Sequence, residues 1–135
     1  MIIESTHVSV PATNEQVADF LQDAQNLIHL LPQDQISDWN ATVEQCSFKV
    51  QGGVVISLVE SGREGTSKIF LKSGAKSPFP FQLTVHLEEN GQETKGYLVF
   101  NGEVNVFLKM MVEKPLTALF NMMSENLKGY FTSRS

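Results

Sequence analysis

Residues 106–131 read VFLKMMVEKPLTALFNMMSENLKGYF, and this stretch decides the fold. Leu116, Leu119, Phe120, Met123, Leu127 and Tyr130 recur at steps of three and four, so they share one side of a helix. Lys114, Asn121, Glu125 and Lys128 fall on the solvated side. Fully helical, the run from Phe107 to Tyr130 spans about 36 Å at roughly 1.5 Å per residue. A helix of that length must lie across most of its own core, and the preceding residues read as the sheet beneath it. Pro115 cannot donate to the carbonyl of Met111, which predicts a kink or a restart there.

Working back toward the N-terminus, residues 36–104 have a period of two. Trp39, Ala41 and Val43 alternate with polar residues, as do Cys46, Phe48 and Val50. Gly52-Gly53 suits a two-residue hairpin turn, which would set Val50 opposite Val55, Phe48 opposite Ser57 and Cys46 opposite Val59. Residues 61–65, SGREG, read as a turn before a strand through Ile69 and Leu71, and residues 74–80, GAKSPFP, as a loop. Phe79, Phe81, Leu83, Val85 and Leu87 then alternate with Pro80, Gln82, Thr84, His86 and Glu88. With Asn90-Gly91 as the turn, Leu83 pairs with Leu98, Phe81 with Phe100, Gly96 with Val85 and Gly102 with Phe79. Strand glycines in such a face suit a curved sheet closing on a helix.

Before this sheet, Ile2 to Val10 reads as a strand ended by Pro11, with apolar residues on both faces. Thr13 and Gln16 form a capping-box pattern ahead of Val17, Phe20, Leu21 and Ala24 at helical spacing. A second short helical piece carries Leu27, Ile28, Leu30 and Leu31 and ends at Pro32. The order is strand, two short helices, about six antiparallel strands and one long helix, an α+β domain covering residues 1–135.

Composition narrows the partners. Of 135 residues, 41% are hydrophobic and 19% charged, enough for a buried core. Ten basic against 15 acidic residues give a charge of −5, which argues against nucleic acid. No apolar run reaches the roughly 18 residues of a transmembrane segment, and the first residues lack a signal peptide's regions, which points to the cytoplasm. Cys46 is the only cysteine, so no internal disulfide can form.

Two stretches, VPATNEQVADFL at 10–21 and LKMMVEKPLTALFNMMSENLKGY at 108–130, resemble the START-like superfamily, also called SRPBCC or Bet v 1-like. The first is similar to that family's strand, proline turn and amphipathic helix, and the second to its long C-terminal helix. The resemblance implies a helix-grip fold, a curved antiparallel sheet of about six or seven strands wrapped around the helix with a cavity between them. Members bind lipids, sterols or polyketides, and some are cyclases or hydrolases. The superfamily has no universal catalytic motif, so no residue role follows by position.

On that reading the chain binds or carries a hydrophobic small molecule, lipid or polyketide-like, without a cofactor. The expected lining is Phe48, Val55, Ser57, Phe81, Leu83, Leu98, Phe100, Leu116, Phe120 and Met123, with Ser57 and Thr94 as the inward polar groups. An enzyme acting on a hydrophobic substrate is the alternative, and an acid–base pair with shifted pKa inside the fold would favour it. An interaction module without a cavity is the third. No carboxylate falls on the faces assigned inward. Cys46 reads as a buried inert thiol. His86 falls on the polar face of its strand, His29 on the outer side of its helix, and His7 on a strand of undecided facing. No His or Cys spacing suggests a metal. Arg63 and Lys76 read as loop charges, with a ligand carboxylate as the sharper use of either. Met110, Met111, Met122 and Met123 read as core packing, with an adaptable pocket lining or a weak homodimer patch as the alternative.

Overall fold

The computed structural model describes residues 1–134. Two short strands, β1 (Ile2–Glu4) and β2 (Val8–Val10), precede helix α1 (Asn14–Leu21) and a 3-10 segment (Ala24–His29). Six further strands follow: β3 (Ser37–Ala41), β4 (Gln45–Lys49), β5 (Val55–Glu64), β6 (Lys68–Ser73), β7 (Phe81–Asn90) and β8 (Glu93–Gly102). Helix α2 (Val106–Thr132) ends the chain. All pairings are antiparallel, in the order β1-β8-β7-β6-β5-β4-β3, with β2 also on β8. This is the α+β helix-grip arrangement.

The capping box forms as the sequence predicts. The Gln16 amide donates to the Thr13 hydroxyl at 3.2 Å, and the Thr13 amide donates to the Gln16 side chain at 2.9 Å. α2 is capped by Asn105, whose side chain accepts from the Leu108 amide at 2.8 Å. Pro115 does not restart the helix, which runs unbroken for 27 residues. The carbonyl deprived of a donor belongs to Met111, which is half exposed, so water can serve it.

β1 and β2 are one strand interrupted at Ser5–His7, where the register on β8 slips by one residue. The interruption is pinned to α2. Ser5 Oγ accepts from the Leu98 amide at 2.8 Å and lies 2.8 Å from Ser124 Oγ, while the Thr6 amide donates to Asn121 Oδ1 at 2.9 Å. These bonds hold α2 across the sheet's inner face. Leu116, Phe120, Met123 and Leu127 are buried there against Leu83, Leu98 and Phe100 in one hydrophobic core.

Two hairpin registers differ from the sequence expectation. The β7–β8 turn is Gly91-Gln92, because Asn90 pairs with Glu93. Only Gly91 needs a positive φ, 67°, as a type II′ turn with glycine first requires. Leu83 therefore pairs with Phe100, Phe81 with Gly102, Val85 with Leu98 and Leu87 with Gly96. The slip is two residues, so every side chain keeps its expected face: Phe81, Leu83, Val85, Leu98 and Phe100 are buried.

The β4–β5 turn has three residues, Gln51, Gly52 and Gly53, closed by the Val50 amide donating to Val54 O at 2.9 Å. Phe48 pairs with Ile56 and Cys46 with Leu58. This slip is one residue, which reverses the facing of β5. The expected SGREG turn is instead strand with a bulge at Ser61-Gly62, where Gly62 has φ 95°, and the chain turns at Gly65.

Candidate functional site

The inner face of β5 carries Ile56, Leu58 and Glu60 in alternation. Ile56 and Leu58 are fully buried against Phe48 and Cys46. Glu60 pairs across β6 with the buried Leu71, which directs its side chain inward beside them. Its amide donates to Glu44 O at 2.8 Å. Its Oε2 atom is buried and has no hydrogen-bond partner among the described residues. The expectation that no carboxylate faces inward is therefore corrected: the one-residue slip at the β4–β5 turn puts Glu60 inside.

Burial raises the Glu60 carboxyl from 4.5 to about 7, and the negative charge of Asp23 adds to the effect. Asp23 is held at the start of the 3-10 segment, accepting from the Gln25 amide at 2.9 Å. Near neutrality Glu60 can thus accept a hydrogen bond as a carboxylate or donate one as an acid. Cys46 lies on the same face. Burial, the charge of Glu60 and, in the opposite sense, a backbone hydrogen bond from Leu58 leave its thiol at about 12. That leaves Cys46 an inert thiol, while Glu60 can change protonation state near neutral pH.

The structure distributes the expected lining unevenly. Phe48, Phe81, Leu83, Leu98, Phe100, Leu116, Phe120 and Met123 all lie in the core between sheet and helix. Their rings pack on one another, Phe81 to Phe100 at 5.0 Å and Phe100 to Phe120 at 5.3 Å between centroids. Val55 pairs with Lys49 on the outer face and is half buried. Ser57 is also outward, opposite Ser47, and is covered by the loop after β6. Thr94 is inward but already engaged. Its hydroxyl lies 2.8 Å from Ala12 O and 2.7 Å from Asn14 Oδ1, so it ties β8 to the start of α1. A crevice of about 40 Å³ is lined by Pro32, Ile36, Val50, Pro115, Ala118 and Leu119.

The remaining candidates lie elsewhere. Arg63 reaches α1, with its guanidinium 3.3 Å from Asp19. His86 is half buried on the outer face and stacks on Tyr97, which stacks in turn on His7 at 3.9 Å. Burial and the neighbouring Lys68 lower the His86 pKa. His29 is exposed beside Tyr130, as its place on the helix suggested. Met123 is core, whereas Met110 and Met111 are exposed with Val106 and Phe107 at the start of α2.

Against solved structures, the chain aligns along nearly its whole length with a Thermus thermophilus protein, TTHA0849, at a TM-score of 0.76 and 15% identity, covering 100% of this chain and 99% of that one. A START superfamily protein from Mycobacterium smegmatis aligns at 0.71 and 14% identity, over 99% of both chains. The fold is START-like. A Thalictrum norcoclaurine synthase point mutant, bound to a transition-state analogue, shares the same START-like fold at 0.71 and 11% identity, over 99% of this chain and 95% of that one. No family model matches the sequence, and no curated protein matches it. Among the described residues no helix is long and apolar enough to cross a membrane.

Proposed function

We propose that the chain binds a hydrophobic small molecule, lipid or polyketide-like, between the sheet and α2, with Glu60 as the polar group that orients it. The observation that carries this reading is the buried Glu60 Oε2 without a protein partner. A buried acceptor left unmet is unfavourable by about 1–3 kcal/mol, and a ligand hydroxyl or amide supplies the missing bond. The START-like fold supports the location. Apolar burial supplies affinity at roughly 25 cal/mol per Å², and one or two polar groups set orientation. Entry runs through the crevice at Pro115–Leu119, with Phe120 and Met123 yielding space.

The test is an NMR titration of wild type and Glu60→Leu with a fatty acid, a sterol and a flavonoid. Shifts should centre on Phe48, Leu58, Leu83 and Phe120, and Glu60→Leu should weaken the hydroxylated ligand about tenfold or more, the size of a hydrogen bond to a charged group. Shifts restricted to surface loops would reject the reading. A second reading, acid–base catalysis on such a ligand, draws support from the Glu60 pKa of about 7, suited to proton transfer at neutral pH. Norcoclaurine synthase on this fold lends it precedent. Turnover of a bound ligand, lost in Glu60→Gln, would establish it over simple binding.

A further inference from the structure

The outer face of the sheet carries a groove on the side away from Glu60. Ser57 on β5 pairs with Ser47 on β4, and Ser47 pairs with Asn40 on β3. Three small polar side chains thus form one row across three adjacent strands. A bulge between Ser37 and Asn40, where Asp38 takes φ 56°, brings Asn40 into that row. All three residues line this groove of about 350 Å³, together with Thr42, Gln45, Cys46 and Lys76. Among the described residues no carboxylate lines it.

Ser57 is the informative member. It is only 5% exposed, yet its hydroxyl has no hydrogen-bond partner among the described residues. Its main chain is occupied: the Ser57 amide donates to Ser77 Oγ at 2.9 Å, and Ser77 Oγ donates back to Ser57 O at 3.2 Å. These bonds hold the 74–77 loop against β5 through main-chain groups of Ser57 and do not use its hydroxyl. Gly74 is part of the same arrangement, because a Cβ there would collide with Ser57 Oγ. Lys76 forms no ion pair among the described residues and, like Ser57, lines the groove.

We infer that this groove binds a small oxyanion, the chemistry shared by a carboxylate and a phosphate. Lys76 supplies the charge, and the hydroxyls of Ser47 and Ser57 with the amide groups of Asn40 and Gln45 supply donors. The hydroxyls and amides fit either geometry, so the two sources are separated by experiment. The site shares no side chain with Glu60, so each can fail without the other.

The experiment is an NMR titration of the full chain with sodium phosphate and, separately, sodium acetate, with ionic strength held constant by chloride. Saturable shifts at the amides of Ser47, Ser57, Ala75 and Lys76 are expected with at least one of the two anions. Lys76→Met, on an exposed loop, should raise the Kd at least fivefold, and Ser57→Ala should do likewise, whereas Glu60→Gln should leave it unchanged. Saturation with phosphate alone assigns a phosphate group, and with acetate alone a carboxylate. Linear shifts with both anions, or unchanged affinity in Lys76→Met, would overturn the inference. Lys76→Met decides the matter if Ser57→Ala fails to fold.

Discussion

Glu60 stands two residues beyond Leu58, the cross-strand partner of Cys46, so acid and thiol share the inner face of adjacent strands. The carboxylate adds to burial in holding the thiol at about 12. Burial of Glu60, with the charge of Asp23 adding to it, makes the interior of this fold sensitive to pH through one residue.

The folded state binds the Glu60 proton more tightly than the unfolded chain, whose value is 4.5 against about 7. Stability from this group is therefore fully present below about pH 4.5 and is lost as pH rises through 7. Glu60→Gln removes the penalty, so wild type and variant should agree near pH 4 and separate above pH 7. The variant should be more stable at pH 8 by roughly 1–2 kcal/mol, less than the full shift implies because part of the carboxyl stays hydrated. Urea denaturation across the pH range measures this; parallel curves would contradict it.

Cys46 should resist thiol reagents. At a pKa of about 12 its thiolate is scarce at pH 8, and the residue is 2% exposed. Labelling of the native protein by an aromatic disulfide should be at least about a hundredfold slower than in denaturant, since it waits on opening. Rapid labelling of native protein would place the thiol at the surface.

Thr94→Val should act on stability and leave ligand affinity alone. The substitution removes the donor between Ala12 O and Asn14 Oδ1 inside the core. The single hydroxyl proton serves one of these acceptors at a time, and leaving a buried acceptor unmet should destabilise the chain by about 1–3 kcal/mol in a chemical melt. A loss of binding without a loss of stability would instead make Thr94 a ligand contact.

The strand glycines should separate by what surrounds them. A Cβ at Gly96 would meet Leu87 and the His86 carbonyl at 3.5 and 3.6 Å, ordinary contacts. A Cβ at Gly102 would press on the Phe100 ring at 2.8 Å. Gly96→Ala should be within about 0.5 kcal/mol of wild type, and Gly102→Ala destabilising by about 1–3 kcal/mol. Equal thermal midpoints for the two variants would refute the distinction.

Local patterns located the elements well because each rests on neighbours in the chain. The capping box at Thr13 and Gln16, the helical stripe from Leu116 to Leu127 and the alternation in β7 need only short-range chemistry. The faces of β7 and β8 also survived a register error, since a slip of two preserves parity. The facing of β5 did not survive, because the slip at β4–β5 was one: Val55 and Ser57 exchange places with Ile56, Leu58 and Glu60, while the rest of the expected lining stays inside. Gly52-Gly53 is compatible with two- and three-residue turns alike, and the glycines do not choose. A clue was nevertheless present in the strand itself. Ile56 and Leu58 form a heavier apolar set than Val55, Ser57 and Val59, which favours the even-numbered residues as the buried ones. Following that set one step further reaches Glu60. The outer groove depends on a bulge in β3 and a folded loop, and no periodicity announces either.

Surface loops ordinarily tolerate gain or loss of a residue, because little is packed against them. Gly52 and Gly53 meet that description, since a side chain at either would touch nothing within 4 Å. Yet the loop's length sets which half of β5 looks at α2. Losing one residue between Val50 and Val54 would turn Ile56, Leu58 and Glu60 to the outside and bring Val55, Ser57 and Val59 in. The interior acid and the outer hydroxyl row would be lost in a single step. Two glycines with open space around them thereby act as the parity bit of the protein, writing the chemistry of both faces of its sheet from a position outside either.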